Sequence, residues 1–250
     1  MNRTRVAFFD VDGTLTTSAS MFRFLRYYLA ATGRPPREYE EQRQLLKAMT
    51  ALGCSRETTN RAYYAQLAGA PAGLVAALAG QWFAAELSTR GFYHEPALAA
   101  LRRHRADGDH TVLVSGSFPA PLHLIAADLG VDEVWCSEPE VTHGRYTGRL
   151  TGPPMIGDAK ADAVRGVAAE RGAALDSCVS YGDHISDLPM LKTTGSAVVV
   201  GGDATLRAMA RMHGWRQLPG VLPPPPALPL PHRGRPSSFR SVPDEVPESA

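Results

Sequence analysis

An α/β fold, built on a doubly wound parallel sheet with a helical insertion, follows from three features of the sequence. Five short apolar runs, Val6–Asp10, Thr111–Ser115, Glu133–Ser137, Cys178–Asp183 and Ala197–Val200, are continuous rather than alternating, as strands buried on both faces are. Helical patterns separate the later runs, at Pro96–Arg105, Pro119–Leu129, Ala159–Arg171 and Ala204–Met212, and strand alternating with helix predicts such a sheet. From Thr17 to His94 the rhythm stops: no strand pattern occurs, and four helical segments follow one another.

Taken in order, Val6–Asp10 is the first strand and ends on a carboxylate. The insertion then carries helices over Met21–Ala31, Arg37–Leu52, Arg56–Leu67 and Leu74–Leu87. After the third strand, VWCSEPEVTHGRYTGRL has extended character with Gly144 and Gly148 as turn points, which predicts a small antiparallel β flap. From Pro219 the sequence becomes VLPPPPALPLPHRGRP and then polar. Proline at that density continues neither a helix nor a central strand, so a disordered or polyproline tail is expected. The division expected is therefore a core of residues 1–16 and 95–218, a helical cap of 17–94 and a tail of 219–250.

The chain has 250 residues, 44% of them hydrophobic and 20% charged, enough for a real core. A net charge of +1 gives no support for a nucleic-acid-binding surface. No stretch approaches the roughly 20 apolar residues of a membrane span, and the apolar run at the N-terminus is too short for a signal peptide. Cys54, Cys136 and Cys178 have no CxxC spacing, and the last two sit in strand-like runs, as buried free thiols of a reducing compartment do. A cytoplasmic protein is expected.

Ligands of doubly wound sheets bind beyond the carboxyl ends of the strands. Four polar clusters fall there: Asp10 with Asp12, Ser115 with Gly116, Lys160 at the opening of a helix, and Asp183 with Asp187. Side chains two apart on an extended chain point the same way, and two close carboxylates repel unless a cation or a proton lies between them. Asp183 adds a third oxygen donor, and an all-oxygen set suits Mg²⁺. The hydroxyl of Ser115 and neighbouring N–H groups, just before a helix, suit phosphate oxygens. Lys160 offers positive charge to a transferring phosphoryl group. Singly, each feature has a plainer reading: Asp12-Gly13 as a turn, Asp183 and Asp187 as helix caps, Lys160 as solvated surface. His94, His143 and His184 read as surface residues. The cap residues Arg23, Arg26, Arg56, Arg61, Tyr27, Tyr63, Tyr64 and Trp82 are pocket candidates, although at helical spacing the aromatics read mainly as core.

In series, DVDGT after a strand, Ser at the next strand end, Lys on a later helix and GDxxxD resemble the haloacid dehalogenase superfamily over residues 5–215. The insertion after the first motif resembles the branch related to phosphoserine phosphatase. The resemblance implies a Rossmann-like core with a mobile helical cap and a phosphomonoester hydrolase working on a small phosphorylated metabolite. It implies Asp10 as the nucleophile forming an aspartyl-phosphate, and Asp12 as the acid and then the base. It also implies Mg²⁺ held by Asp10, Asp183 and the backbone carbonyl of Asp12. Ser115, Gly116 and Lys160 would hold phosphate, with Asp187 in support. A phosphomutase needs the same aspartates and stays open as an alternative; a noncatalytic binding protein is disfavoured because every motif position is present. Phosphoserine phosphatases place a Glu shortly after the first motif to meet the substrate's ammonium. Here TTSASMFRF puts Ala19 or Ser20 at that place, and no acid occurs before Glu38. A substrate other than phosphoserine is expected, such as a sugar, cyclitol or other small alcohol phosphate.

Overall fold

The computed structural model describes residues 4–221 together with 228, 230 and 231. Val6–Phe9 (β1) is central in a six-stranded parallel sheet of order β3-β2-β1-β6-β7-β8, with β2 at His110–Ser115, β3 at Glu133–Cys136, β6 at Val179–Gly182, β7 at Ser196–Val200 and β8 at Arg216–Leu218. Both faces are covered, which is why these strands are continuously apolar. Ala7 and Phe9 face one cluster, which includes Leu98 and Leu101 of α5 (Glu95–Ala106) and Leu122 and Ile125 of α6 (Pro119–Leu129). Val6 and Phe8 face the other, with Val164 and Val167 of α7 (Asp158–Glu170) and Met190 of α8 (Leu188–Thr193). The period of two along β1 thus sends successive side chains to opposite layers.

Between β1 and α5 the chain forms four helices: α1 (Ser20–Ala31), α2 (Pro36–Ala51), α3 (Arg56–Ala65) and α4 (Ala72–Ser88). They pack through a ring of aromatics. Phe24 meets Trp82, Tyr28 and Phe118, and Phe118 touches Tyr63 and Tyr64 in turn. Inside this layer Arg23 donates to both oxygens of Glu86, at 2.6 and 2.7 Å, and the Trp82 indole donates to Glu86 at 2.8 Å. Glu86 is fully buried, and a buried carboxylate needs such partners. The β flap is a two-stranded antiparallel hairpin, β4 (Pro139–Thr142) and β5 (Arg145–Leu150). Its backbone pins the α3–α4 connection through Gly69 N–H to Tyr146 and Tyr146 N–H to Ala70.

Several expectations need correction. Strand β8 and the short helix α8 carry no clear sequence pattern: β8 has three residues, two of them Arg and Gln, and α8 is six residues long. α9 (Ala204–His213) follows β7 as expected. His94 is not a surface residue. It is 5% exposed, because its N–H bonds the Leu15 carbonyl and draws the start of α5 under the first loop. Most of the expected tail lies outside the described residues, yet Leu228 is 7% exposed and belongs to the cluster that holds Phe9 and Leu101. Cys136 and Cys178 are buried free thiols and Cys54 is exposed. No helix among the described residues is long and apolar enough to cross a membrane.

Candidate active site

β1 delivers Asp10. The Asp10 N–H still bonds the Tyr181 carbonyl at 2.9 Å, so the ladder with β6 runs one residue past the strand and leaves this carboxylate at its mouth. The chain then turns tightly, with the N–H groups of Thr14, Leu15 and Thr16 all reaching the Val11 carbonyl. Gly13 sits in this turn at φ 90°, where a Cβ would collide with the Asp183 carboxylate, so glycine is required on both counts. The turn carries Asp12 on to α1. There the Ser20 N–H donates to its Oδ1 at 2.8 Å, and Asp12 is left half-buried on the cleft wall.

Lys160, in the first turn of α7, is 3% exposed and bridges two aspartates. Its Nζ donates to Asp10 Oδ1 at 2.6 Å and to Asp187 Oδ1 at 2.7 Å. The other oxygen of Asp187 accepts from the N–H groups of Asp183 and His184, at 3.3 and 3.2 Å, which shapes the loop after β6. Asp183 accepts from the Thr14 hydroxyl at 3.3 Å. Ser115 ends β2 and is 1% exposed, with its Oγ accepting from the Ser117 N–H at 3.1 Å. The Gly116 carbonyl collects three donors, Asn60, Tyr64 and Ser137, at 2.9, 2.7 and 3.1 Å. All seven residues singled out from the sequence, Asp10, Asp12, Ser115, Gly116, Lys160, Asp183 and Asp187, line one cleft of about 380 Å³.

Charge in this cleft is crowded. Burial, with repulsion from Asp187, outweighs Lys160 and pushes the Asp10 carboxyl up to about 6. Burial with the charges of Asp10 and Asp187 pushes Asp183 to about 8. Burial also raises Asp12 against the hydrogen bonds from Ser20. Burial alone would depress Lys160, but Asp10 and Asp187 outweigh it and hold the ammonium firmly charged. Ligand oxygens of Asp10, Asp183 and Asp187 lie within 4.8 Å of one another. Hard oxygen donors at that spacing fit a divalent cation such as Mg²⁺. The Asp12 carboxylate stands outside this group because Ser20 holds it.

Reasoning from the sequence missed other residues of the cleft. Asn60 is 7% exposed, reaches Gly116 from α3 and carries no signal beyond its helix. Arg43, Lys47, Thr50 and Thr59 also line the cleft from α2 and α3. Of the cap candidates, Arg56 and Tyr63 reach it. Arg23 is committed to Glu86, Arg61 bonds the Gly152 carbonyl, Tyr27 and Trp82 are buried in the packing, and the buried Tyr64 meets the site only through the Gly116 carbonyl.

Fold and site together define an α/β protein with a cluster of carboxylates and one buried lysine at the carboxyl edge of a parallel sheet. The chain belongs to the haloacid dehalogenase-like hydrolase family, whose model matches residues 7–192. Phosphoserine phosphatase SerB1 of Mycobacterium tuberculosis is 30% identical over 222 residues, which span 85% of this chain and 70% of that protein. A probable phosphatase of the same organism is 38% identical over 112 residues, 45% of this chain and 39% of that one. Among solved structures, a protein of unknown function from Bordetella pertussis Tohama I has a TM-score of 0.76 at 27% identity, covering 87% of this chain and 99% of that one. A substrate-bound phosphoserine phosphatase has a TM-score of 0.66 at 20% identity, covering 87% and 94%, a likeness of fold. The enzyme is a phosphatase.

Proposed function

We propose that the enzyme hydrolyses the phosphomonoester of a small metabolite through an aspartyl-phosphate on Asp10, with Mg²⁺ as cofactor. The supporting observation is the Lys160 bridge, which holds one oxygen of Asp10, a residue that lines the cleft. Carboxylate nucleophiles of this kind split one difficult displacement into two easier ones. Asp12, on the cleft wall, donates a proton to the leaving alcohol. As a carboxylate it then takes one from the water that cleaves the acyl-phosphate. Ser115, the backbone at Gly116 and Lys160 hold the transferring oxygens, and Asp187 orients Lys160. Asp10, Asp183 and the Asp12 carbonyl would hold Mg²⁺, which when bound neutralises charge between nucleophile and phosphate.

The same reading divides the chain into a core of 1–16 and 95–218, a cap of 17–94 that closes over the strand ends, and a tail from 219. Its buried free thiols favour a reducing, cytoplasmic setting. Phosphoserine is disfavoured as substrate, because Ala19 and Met21 line the cleft where an ammonium would need an acid. The test is phosphate release from a panel of small phosphomonoesters in Mg²⁺, by the wild type and by Asp10→Asn. Loss of turnover by orders of magnitude, with an unchanged circular dichroism spectrum, is expected. Substantial activity in the variant would refute the mechanism.

A further inference from the structure

The cap wall of the cleft carries three cations that the phosphoryl chemistry does not use. Arg43 and Lys47 are one turn apart on α2, and Arg56 opens α3. Among the described residues none of the three is in an ion pair, whereas Arg23, Arg34, Arg149 and Lys160 each hold a carboxylate. The acids lining the cleft are Asp10, Asp12, Asp183 and Asp187, all on the strand-end side. Like charges four apart on a helix, as those of Arg43 and Lys47 are, repel one another. An anion between them reverses that balance.

Its position can be narrowed further. The Arg43 guanidinium lies 3.8 Å from the centre of the Phe22 ring, which holds its charge over the apolar wall formed with Met21 and Leu46 rather than over the aspartates. Arg56, the first residue of α3, lines the same cleft as Asp12. On the phosphatase reading Asp12 meets the leaving alcohol, so cations on the cap wall of the same cleft face the leaving group.

Resting on the phosphatase reading above, we propose that Arg43, Lys47 and Arg56 form a second anion site, selecting phosphomonoesters whose leaving group bears its own carboxylate or phosphate. Lys47 is exposed and Arg43 half-buried, so the pairing is of moderate strength and weakens as salt rises. Charge-assisted hydrogen bonds to a carboxylate or phosphate suit both side chains, the arginine in two-pronged form.

The experiment uses matched esters: glycerol 3-phosphate against 3-phosphoglycerate, and fructose 6-phosphate against fructose 1,6-bisphosphate. In each pair one member adds an anion. The wild type is expected to favour the anionic member by about tenfold or more in kcat/KM. The preference should fall by about tenfold in Arg43→Gln and in Lys47→Gln, mainly through KM, and return in Lys47→Arg. Carboxylate and phosphate arms are read separately, so the favoured head group emerges from the same data. A wild-type enzyme without preference in either pair, or variants that slow both members equally, would overturn the second site while leaving the phosphatase reading standing. That reading has its own control: hydrolysis of p-nitrophenyl phosphate in Mg²⁺ by the wild type. No hydrolysis there or of any matched ester would overturn both.

Discussion

Tyr64 and Gly116, 52 positions apart, are joined by a hydrogen bond of 2.7 Å from the phenol hydroxyl to the carbonyl. Asn60 of the same helix reaches the same carbonyl at 2.9 Å. One helix of the insertion is thereby registered against the loop that follows β2, and the cap is tied to the floor of the cleft. Both side chains are buried, so each bond is protected from water.

Tyr64→Phe leaves two donors on the carbonyl and should cost about 1 kcal/mol, a fall of about 2–4 °C in melting temperature. Asn60→Ala should cost a similar amount. Together the two changes strip helix α3 of its hold on this loop, so their effects should be non-additive by more than about 0.5 kcal/mol. Thermal or urea unfolding of both single variants and the double checks this. Additive costs would mean that the two donors act independently.

Metal dependence should be strict and visible in binding as well as in turnover. Lys160 already occupies one oxygen of Asp10. Ca²⁺ takes more ligands at longer distances than Mg²⁺, so it would engage the remaining oxygen and remove it from attack. Stripped enzyme should therefore be inactive, recover with Mg²⁺ and fail with Ca²⁺. Asp183→Asn should keep its melting temperature without metal, since it removes a repelled carboxylate, and should lose the rise that Mg²⁺ produces in the wild type. Full activity in excess chelator would contradict the assignment.

The parts of this site that lie on strands were legible because backbone periodicity places them. The run ending at Asp10 is apolar as both-face burial demands, and the runs ending at Ser115 and Asp183 repeat it. Lys160 was legible only through its place in a series of motifs: a lone lysine on a helix carries no sign that it is 3% exposed between two aspartates. The cap wall was harder. Arg43 and Lys47 carry no signal on α2, a helix with one buried residue, and only the folding of the cap over the strand ends brings them to the cleft. His94 misled for the same reason, since its burial comes from a hydrogen bond to Leu15, which is far away in sequence.

Composition also misled at Leu228. A proline-rich segment suggests that a chain ending near Leu222 would be as stable as the whole. Leu228 packs in the main core cluster, however, and burying a leucine contributes roughly 1.5–3 kcal/mol. A chain ending at Val221 should melt about 5–10 °C lower, with Leu228→Ala showing much of the same loss and a chain ending at Pro231 showing little. Equal melting temperatures for all of them would mean that Leu228 contributes nothing in solution.

The sharpest test of specificity compares phosphoserine with 3-phosphoglycerate, which carries a hydroxyl where phosphoserine carries an ammonium. Both offer a carboxylate to Arg43, Lys47 and Arg56, so that contribution cancels. What remains is the ammonium. On the cap side it meets Ala19, Met21 and Phe22, with no acid among the lining residues there, and Glu86 is buried and held by Arg23 and Trp82. An ammonium desolvated without a carboxylate partner loses roughly 2–5 kcal/mol, and the three nearby cations repel it further. That corresponds to about two to three orders of magnitude in kcat/KM. Phosphoserine should therefore be the poorer substrate by at least about a hundredfold, a gap that should narrow in Met21→Glu, which supplies an acid on the α1 side of the cleft. Phosphoserine turned over as well as 3-phosphoglycerate by the wild type would mean that one of the strand-end aspartates, not the cap, receives the ammonium.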